Sequence, residues 1–141
     1  MTDTGDPATG GTSASAAARE REVRDAVVRA RLLALRDEAK ARREALRGEV
    51  AGIVEASKGS NADDEHDPDG ATIAFERAQV GALQRLAEQQ SAEAEAALTR
   101  LDAGTYGTCE TCGAPVGEAR LAARPTARQC IACASTGRAA R

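Results

Sequence analysis

Two Cys-x-x-Cys pairs constrain this chain more than any other feature. They are Cys109-Glu110-Thr111-Cys112 and Cys130-Ile131-Ala132-Cys133, and they contain all four cysteines of the 141 residues. Two residues between thiols let both sulfurs of a pair reach one ion, and the spacing between the pairs falls in the range of zinc ribbons. The pattern predicts one Zn²⁺ per chain held by Cys109, Cys112, Cys130 and Cys133. Four thiolates fill a tetrahedral shell and leave no position for water, so the expected role is structural. Such a metal contributes folding energy to a segment with little core of its own.

The remaining hundred residues cannot build a thick core. There is one Phe, one Tyr, one Met and no Trp, and Ala makes up roughly a quarter of the chain. Ala, Leu, Arg, Glu and Gln favour helix, and Ala lets helix backbones approach closely. The sequence therefore predicts an all-α fold, a long antiparallel coiled-coil hairpin with a C-terminal Cys₄ zinc module.

After Met1, residues up to 15 are Gly, Thr, Ser, Asp, Ala and Pro, with little to bury, and residues 1–15 read as a disordered tail. Residues 16–102 read as the hairpin. In its first arm, from Ala16 to about Ala56, Val28, Leu32, Leu35, Ala39, Leu46 and Ile53 mark a seam, with Arg42 and Glu49 occupying two of its positions. In the second arm the seam reads Ile73, Val80, Leu83, Ala87, Gln90, Ala94, Ala97 and Leu101. Lys58-Gly59-Ser60-Asn61 stops the first arm, and Asp67-Pro68 starts the second, because Asp caps well and Pro suits the first helical position. The connection, at about residues 57–71, is acidic: Asp63, Asp64, Glu65, Asp67 and Asp69 stand there without a basic residue. Residues 103–141 form the zinc module and a short C-terminal tail. Two arms of about forty residues give a rod of roughly 45–60 Å, with the acidic loop at its tip and the zinc module at its base.

Composition also excludes function classes. The net charge is −3, and the segment from Arg19 to Glu49 mixes ten basic with seven acidic residues. With no basic block, no specific DNA contact is expected. There is no apolar run for a membrane span and no secretory signal, which predicts a cytoplasmic protein with reduced thiols. The chain has one histidine, His66, and no Ser-His-Asp set or Gly-rich phosphate loop, so no enzyme is expected.

The zinc region resembles the DksA/TraR family of bacterial RNA polymerase regulators. The resemblance rests on Tyr106-Gly107-Thr108-Cys109-Glu110-Thr111-Cys112-Gly113, on the run Arg120-Leu121-Ala122-Ala123-Arg124-Pro125-Thr126-Ala127, and on the second cysteine pair. It extends back through the second arm to about Asp63. It implies a regulator of initiation that binds RNA polymerase and inserts the hairpin into the secondary channel, its tip near the catalytic centre. The family tip pattern D-x-x-D-x-A, counted back without gaps, falls on His66-Asp67-Pro68-Asp69-Gly70-Ala71, so that Asp69 and Ala71 match and His66 stands at the first acidic position. A shifted register, Asp64, Asp67 and Asp69, restores both acids and loses the Ala. The implied tip contacts are His66, Asp67, Asp69 and Ala71. Family positions that help bind guanosine tetraphosphate fall on Gln90, Glu93, Arg124 and Ala134. Arg124 alone is basic, which leaves it as the expected polymerase or nucleotide contact and argues against strong nucleotide synergy.

Two other classes compete with this reading. One is a zinc-stapled coiled-coil adaptor or stress protein acting on another partner. The other is an RNA-binding zinc ribbon, against which the lack of aromatic stacking residues speaks.

Overall fold

The computed structural model describes residues 11–58 and 68–137. Two long helices, α1 (Gly11–Lys58) and α2 (Pro68–Asp102), form an antiparallel hairpin. Two short helices, α3 (Glu118–Ala123) and α4 (Ile131–Ser135), belong to the zinc module that follows. No strand occurs among the described residues; Thr108 and Pro115 form an isolated antiparallel bridge.

The arms are unequal, with 48 residues in α1 and 35 in α2. At 1.5 Å per residue they measure about 72 and 52 Å. α1 begins at Gly11, inside the segment expected as a tail. The Ala-rich run Ala16–Ala18 extends the helix back cheaply once it is nucleated, and Arg19 donates to Ser15 Oγ one turn earlier. Pro68 is the first residue of α2, as its fixed φ favours. The residues between Lys58 and Pro68, where the acidic tip was expected, lie outside the described ones.

Cross-arm ion pairs set the register. Arg29 pairs with Asp102, Lys40 with Glu95 and Arg43 with Glu88. As the α1 partner advances from 29 to 43, the α2 partner recedes from 102 to 88, as antiparallel helices require. These pairs are half-exposed and contribute little energy each; the seam supplies the stability.

On α1 every second position from Leu35 to Glu49 departs from expectation, and on α2 two positions do. Leu32, Ala39 and Leu46 are buried on α1, and Ala87, Ala94, Ala97 and Leu101 on α2, as predicted. The intervening positions are Arg36, Arg43 and Val50 rather than Leu35, Arg42 and Glu49, and Gln84 and Ser91 rather than Leu83 and Gln90. Leu35 is 37% and Leu83 42% exposed, whereas Ser91 is buried. The seam of α1 thus runs 32-36-39-43-46-50-53, the unbroken 4-3 alternation of a packed hairpin. The physical reason is the small side chains of α2. Ala and Ser leave room at the seam for the half-buried Arg36 and Arg43, which pair with Asp37 and Glu88.

Candidate metal centre

The zinc module hangs on the end of α2. The carbonyl of Arg100 accepts from the N–H groups of both Thr105 and Tyr106, which turns the chain out of the helix. Cys109 then enters a tight loop. Its N–H donates to the Ala114 carbonyl, its carbonyl accepts from Gly113 N–H, and Val116 N–H donates to Gly107. Gly113 has φ +74°, a left-handed conformation in which a side chain would be strained. The second pair is held by α4, with Cys130 at its N-cap and Cys133 one turn on.

These two loops bring all four sulfurs within 4.8 Å of one another. Cys112 Sγ and Cys130 Sγ are 3.8 Å apart. Zinc–thiolate bonds of about 2.3 Å give a tetrahedron with edges of about 3.8 Å, so the donor set fits zinc. The electrostatics agree. Backbone N–H groups, that of Cys130 foremost, followed by those of Cys112 and Thr111, lower the Cys109 thiol to about 6 against the effect of burial. The Cys133 thiol is pushed up to about 12 by its hydrogen bond with the Cys112 thiol, by burial, and by its contacts with Cys130 and Cys109. Four thiolates in this space need a cation among them. The module binds one structural Zn²⁺. Cys109 and Cys133 are buried with Val116, and Leu121, Ala127 and Cys130 pack against them. This core is too small to hold the fold without metal.

Side chains outside the cysteine pairs fix the module against the hairpin. Glu110, inside the first pair, accepts from Arg100 Nη1 of α2 at 2.9 Å and from Arg128 Nε at 2.8 Å. Arg128 foremost, and Arg100 with it, hold the Glu110 carboxyl below the usual carboxylate range. Arg100 Nη2 also donates to the Thr126 carbonyl. Tyr106 donates to the Pro125 carbonyl at 2.8 Å, and burial raises its phenol above the ordinary value. Arg31 of α1 reaches the Ala122 carbonyl at 2.7 Å. None of these residues stood out in the sequence beyond the family motif, because a Glu between two cysteines carries no sign of an Arg ten residues upstream.

The other sequence-derived site residues are placed as follows. His66 and Asp67, and Asp64 of the alternative register, lie outside the described residues. Asp69 and Ala71 belong to the first turn of α2, where Ala71 is exposed. Arg124 is exposed at the end of α3, with φ −133° and ψ 86°, the extended conformation that the following Pro125 imposes. It lines a cleft of about 340 Å³ between the zinc module and the shaft, together with Gln90, Glu93, Arg42 and Glu38. Three of the four positions aligned with the nucleotide contacts thus share one cleft, while Ala134 is exposed on α4. Arg42 adds a cation that sequence counting missed, but it is engaged with Glu38 and Gln90.

Comparison with known proteins agrees with this geometry. Residues 104–136 match the family described as the prokaryotic dksA/traR C4-type zinc finger. The chain is 51% identical over 39 residues to the RNA polymerase-binding transcription factor DksA of Haemophilus influenzae, a stretch covering 28% of this chain and 27% of that protein. It is 48% identical over 42 residues to an uncharacterised protein of Aquifex aeolicus, covering 30% and 29%. The matched stretch is thus less than a third of either relative. The fold as a whole resembles the structure of transcription factor DksA2 from Pseudomonas aeruginosa, with a TM-score of 0.68 and 29% identity over 82% of this chain and 84% of that one. The C-terminal module is thus similar to the DksA/TraR-type zinc finger, and the hairpin that carries it is similar in build to DksA2. No helix among the described residues is long and apolar enough to cross a membrane.

Proposed function

We propose that this protein is a transcription regulator that binds RNA polymerase directly and modulates initiation by inserting its hairpin tip into the secondary channel. The observation that carries the proposal is the likeness to DksA2 over both arms and the zinc module, joined by a module half identical to that of a polymerase-binding factor. A rod of about 50 Å with acids at one end suits a narrow channel. The zinc module stays outside as a collar, clamped to the shaft through Arg100, Glu110 and Arg128. Carboxylates at the tip, Asp67 and Asp69 with His66 or Asp64, approach the catalytic Mg²⁺ or the mobile elements around it. Ala71, small and exposed, lets the tip pass close to the channel wall. Regulation then needs no specific contact with DNA and no chemistry by the protein itself.

Arg124 contacts polymerase from the rim of its cleft. Guanosine tetraphosphate would meet Glu93 and Glu38 there, with Arg42 already committed, so nucleotide synergy is weak. The deciding experiment is capture of core RNA polymerase by the zinc-loaded protein in the absence of DNA, followed by transcription in vitro. Failure to bind core enzyme would leave the adaptor reading, in which the same rod serves another acceptor.

A further inference from the structure

α1 outruns its partner. With Arg29 beside Asp102 at the end of α2, the helical turns before Arg29 have no α2 alongside them. Residues 11–28 extend about 27 Å further. Arg21, Arg24 and Val28 on one face of this overhang, and Arg31 just beyond it, follow at 3-4-3 spacing, and that face meets the zinc module across a cleft of about 660 Å³. The size is that of a binding site rather than a packing defect. Its far wall is apolar, with Leu101, Leu121 and Pro125, and it is held in place by the Tyr106 hydroxyl on Pro125 and by Arg31 on Ala122.

The guanidinium groups of this cleft are not equivalent. Arg31 is engaged with Ala122, whereas Arg21 and Arg24 are exposed and form no hydrogen bond or ion pair with the described residues. Most other α1 arginines have a partner: Arg29, Arg36, Arg42, Arg43 and Arg47 all pair with acids or amides. Two acids, Asp25 and Glu118, also line the cleft and offset part of the positive charge. A polyphosphate or nucleic-acid backbone would meet those carboxylates with too few cations to neutralise it. A short segment bearing one or two carboxylates and an apolar side chain satisfies both walls.

We propose that the cleft between the α1 overhang and the zinc module is a docking site for an acidic segment of a protein partner, its carboxylates on Arg21 and Arg24 and an apolar side chain against Leu121 and Pro125. Nothing in this inference requires the partner to be RNA polymerase. It would give the base of the rod a contact independent of the shaft and tip.

The test uses the ¹⁵N-labelled, zinc-loaded full chain and a synthetic peptide of sequence Gly-Asp-Leu-Glu-Phe-Gly, capped at both ends so that it bears two carboxylates. Saturable amide shifts at Arg24, Tyr106 and Leu121 are expected. The peptide with Lys at its acidic positions should give none. Arg21→Glu with Arg24→Glu should weaken binding about tenfold or more, the effect of two exposed charge contacts. Both positions face solvent on a helix, so zinc content and helicity should be unchanged, and Arg21→Gln with Arg24→Gln provides a milder second variant. The inference is overturned by the absence of saturable shifts with the acidic peptide, by equal shifts with the Lys peptide or with sodium phosphate alone, or by charge-reversed protein that binds like the parent.

Discussion

Arg100, near the end of α2, holds Glu110 of the first cysteine pair at 2.9 Å in a site where their side chains are only 12% and 25% exposed. This pair joins the two halves of the molecule. Arg100 also accepts the turn at Thr105 and Tyr106 on its carbonyl, so one residue ends the shaft, starts the zinc module and fixes the angle between them.

Glu110→Gln should therefore lower stability by about 1–3 kcal/mol, the usual value for a partly buried charge-assisted hydrogen bond, while zinc stays at one per chain. The effect depends on pH. The folded-state pKa of Glu110 lies below its ordinary value, so its stabilisation is fully present above about pH 4.3 and is lost as pH falls through the lowered folded value. Thermal unfolding of parent and variant should differ at pH 7, and the difference should shrink as pH falls below about 4.3, with bound zinc followed in the same samples because ligand protonation releases it. A constant difference across that range would show that Glu110 acts through packing.

Zinc removal should separate the two halves differently. Metal analysis of the pure protein should find one zinc and no iron. Cys112→Ala, or chelation, should loosen residues from about 105 onward and leave the hairpin helical, since the two parts bury separate cores. Amide exchange that accelerates beyond Tyr106 but not at Ala94 would meet the expectation. Loss of helix throughout would mean that the hairpin depends on the metal.

The shaft offers a sharp contrast between two leucines three residues apart. Leu32 is fully buried and Leu35 is 37% exposed. Leu32→Ala should cost about 2–5 kcal/mol, the range for a buried leucine. Leu35→Ala should cost under about 1 kcal/mol, as for an exposed site. Equal costs in chemical unfolding would restore Leu35 to the seam.

Tip and base should divide effect from affinity. Asp67→Asn with Asp69→Asn removes two charges and no volume, so zinc content should hold and polymerase affinity should change by a few-fold at most. Regulation in vitro should largely disappear. His66→Ala should do comparable damage if His66 stands in for the first tip acid, and much less if Asp64 fills that role. A double Asn variant that regulates like the parent would reduce the acidic loop to a solvated turn.

The zinc centre and the helical hairpin were legible in the residues themselves. Ligand spacing is a local property, because two intervening residues place two sulfurs on one ion wherever the chain goes. Helix formation in an Ala-rich run without proline is equally local. The seam was legible only in part. Leu35 and Leu83 read as core because leucine is apolar, yet burial is decided by what stands opposite. The small Ala87, Ser91 and Ala94 take the buried positions of α2, the half-buried Arg36 and Arg43 take places in the α1 seam, and those leucines stay exposed. The Glu110 clamp and the overhang of α1 were not legible at all. Both depend on where the end of α2 meets residues ten to seventy positions away in sequence, a distance that only the folded register closes.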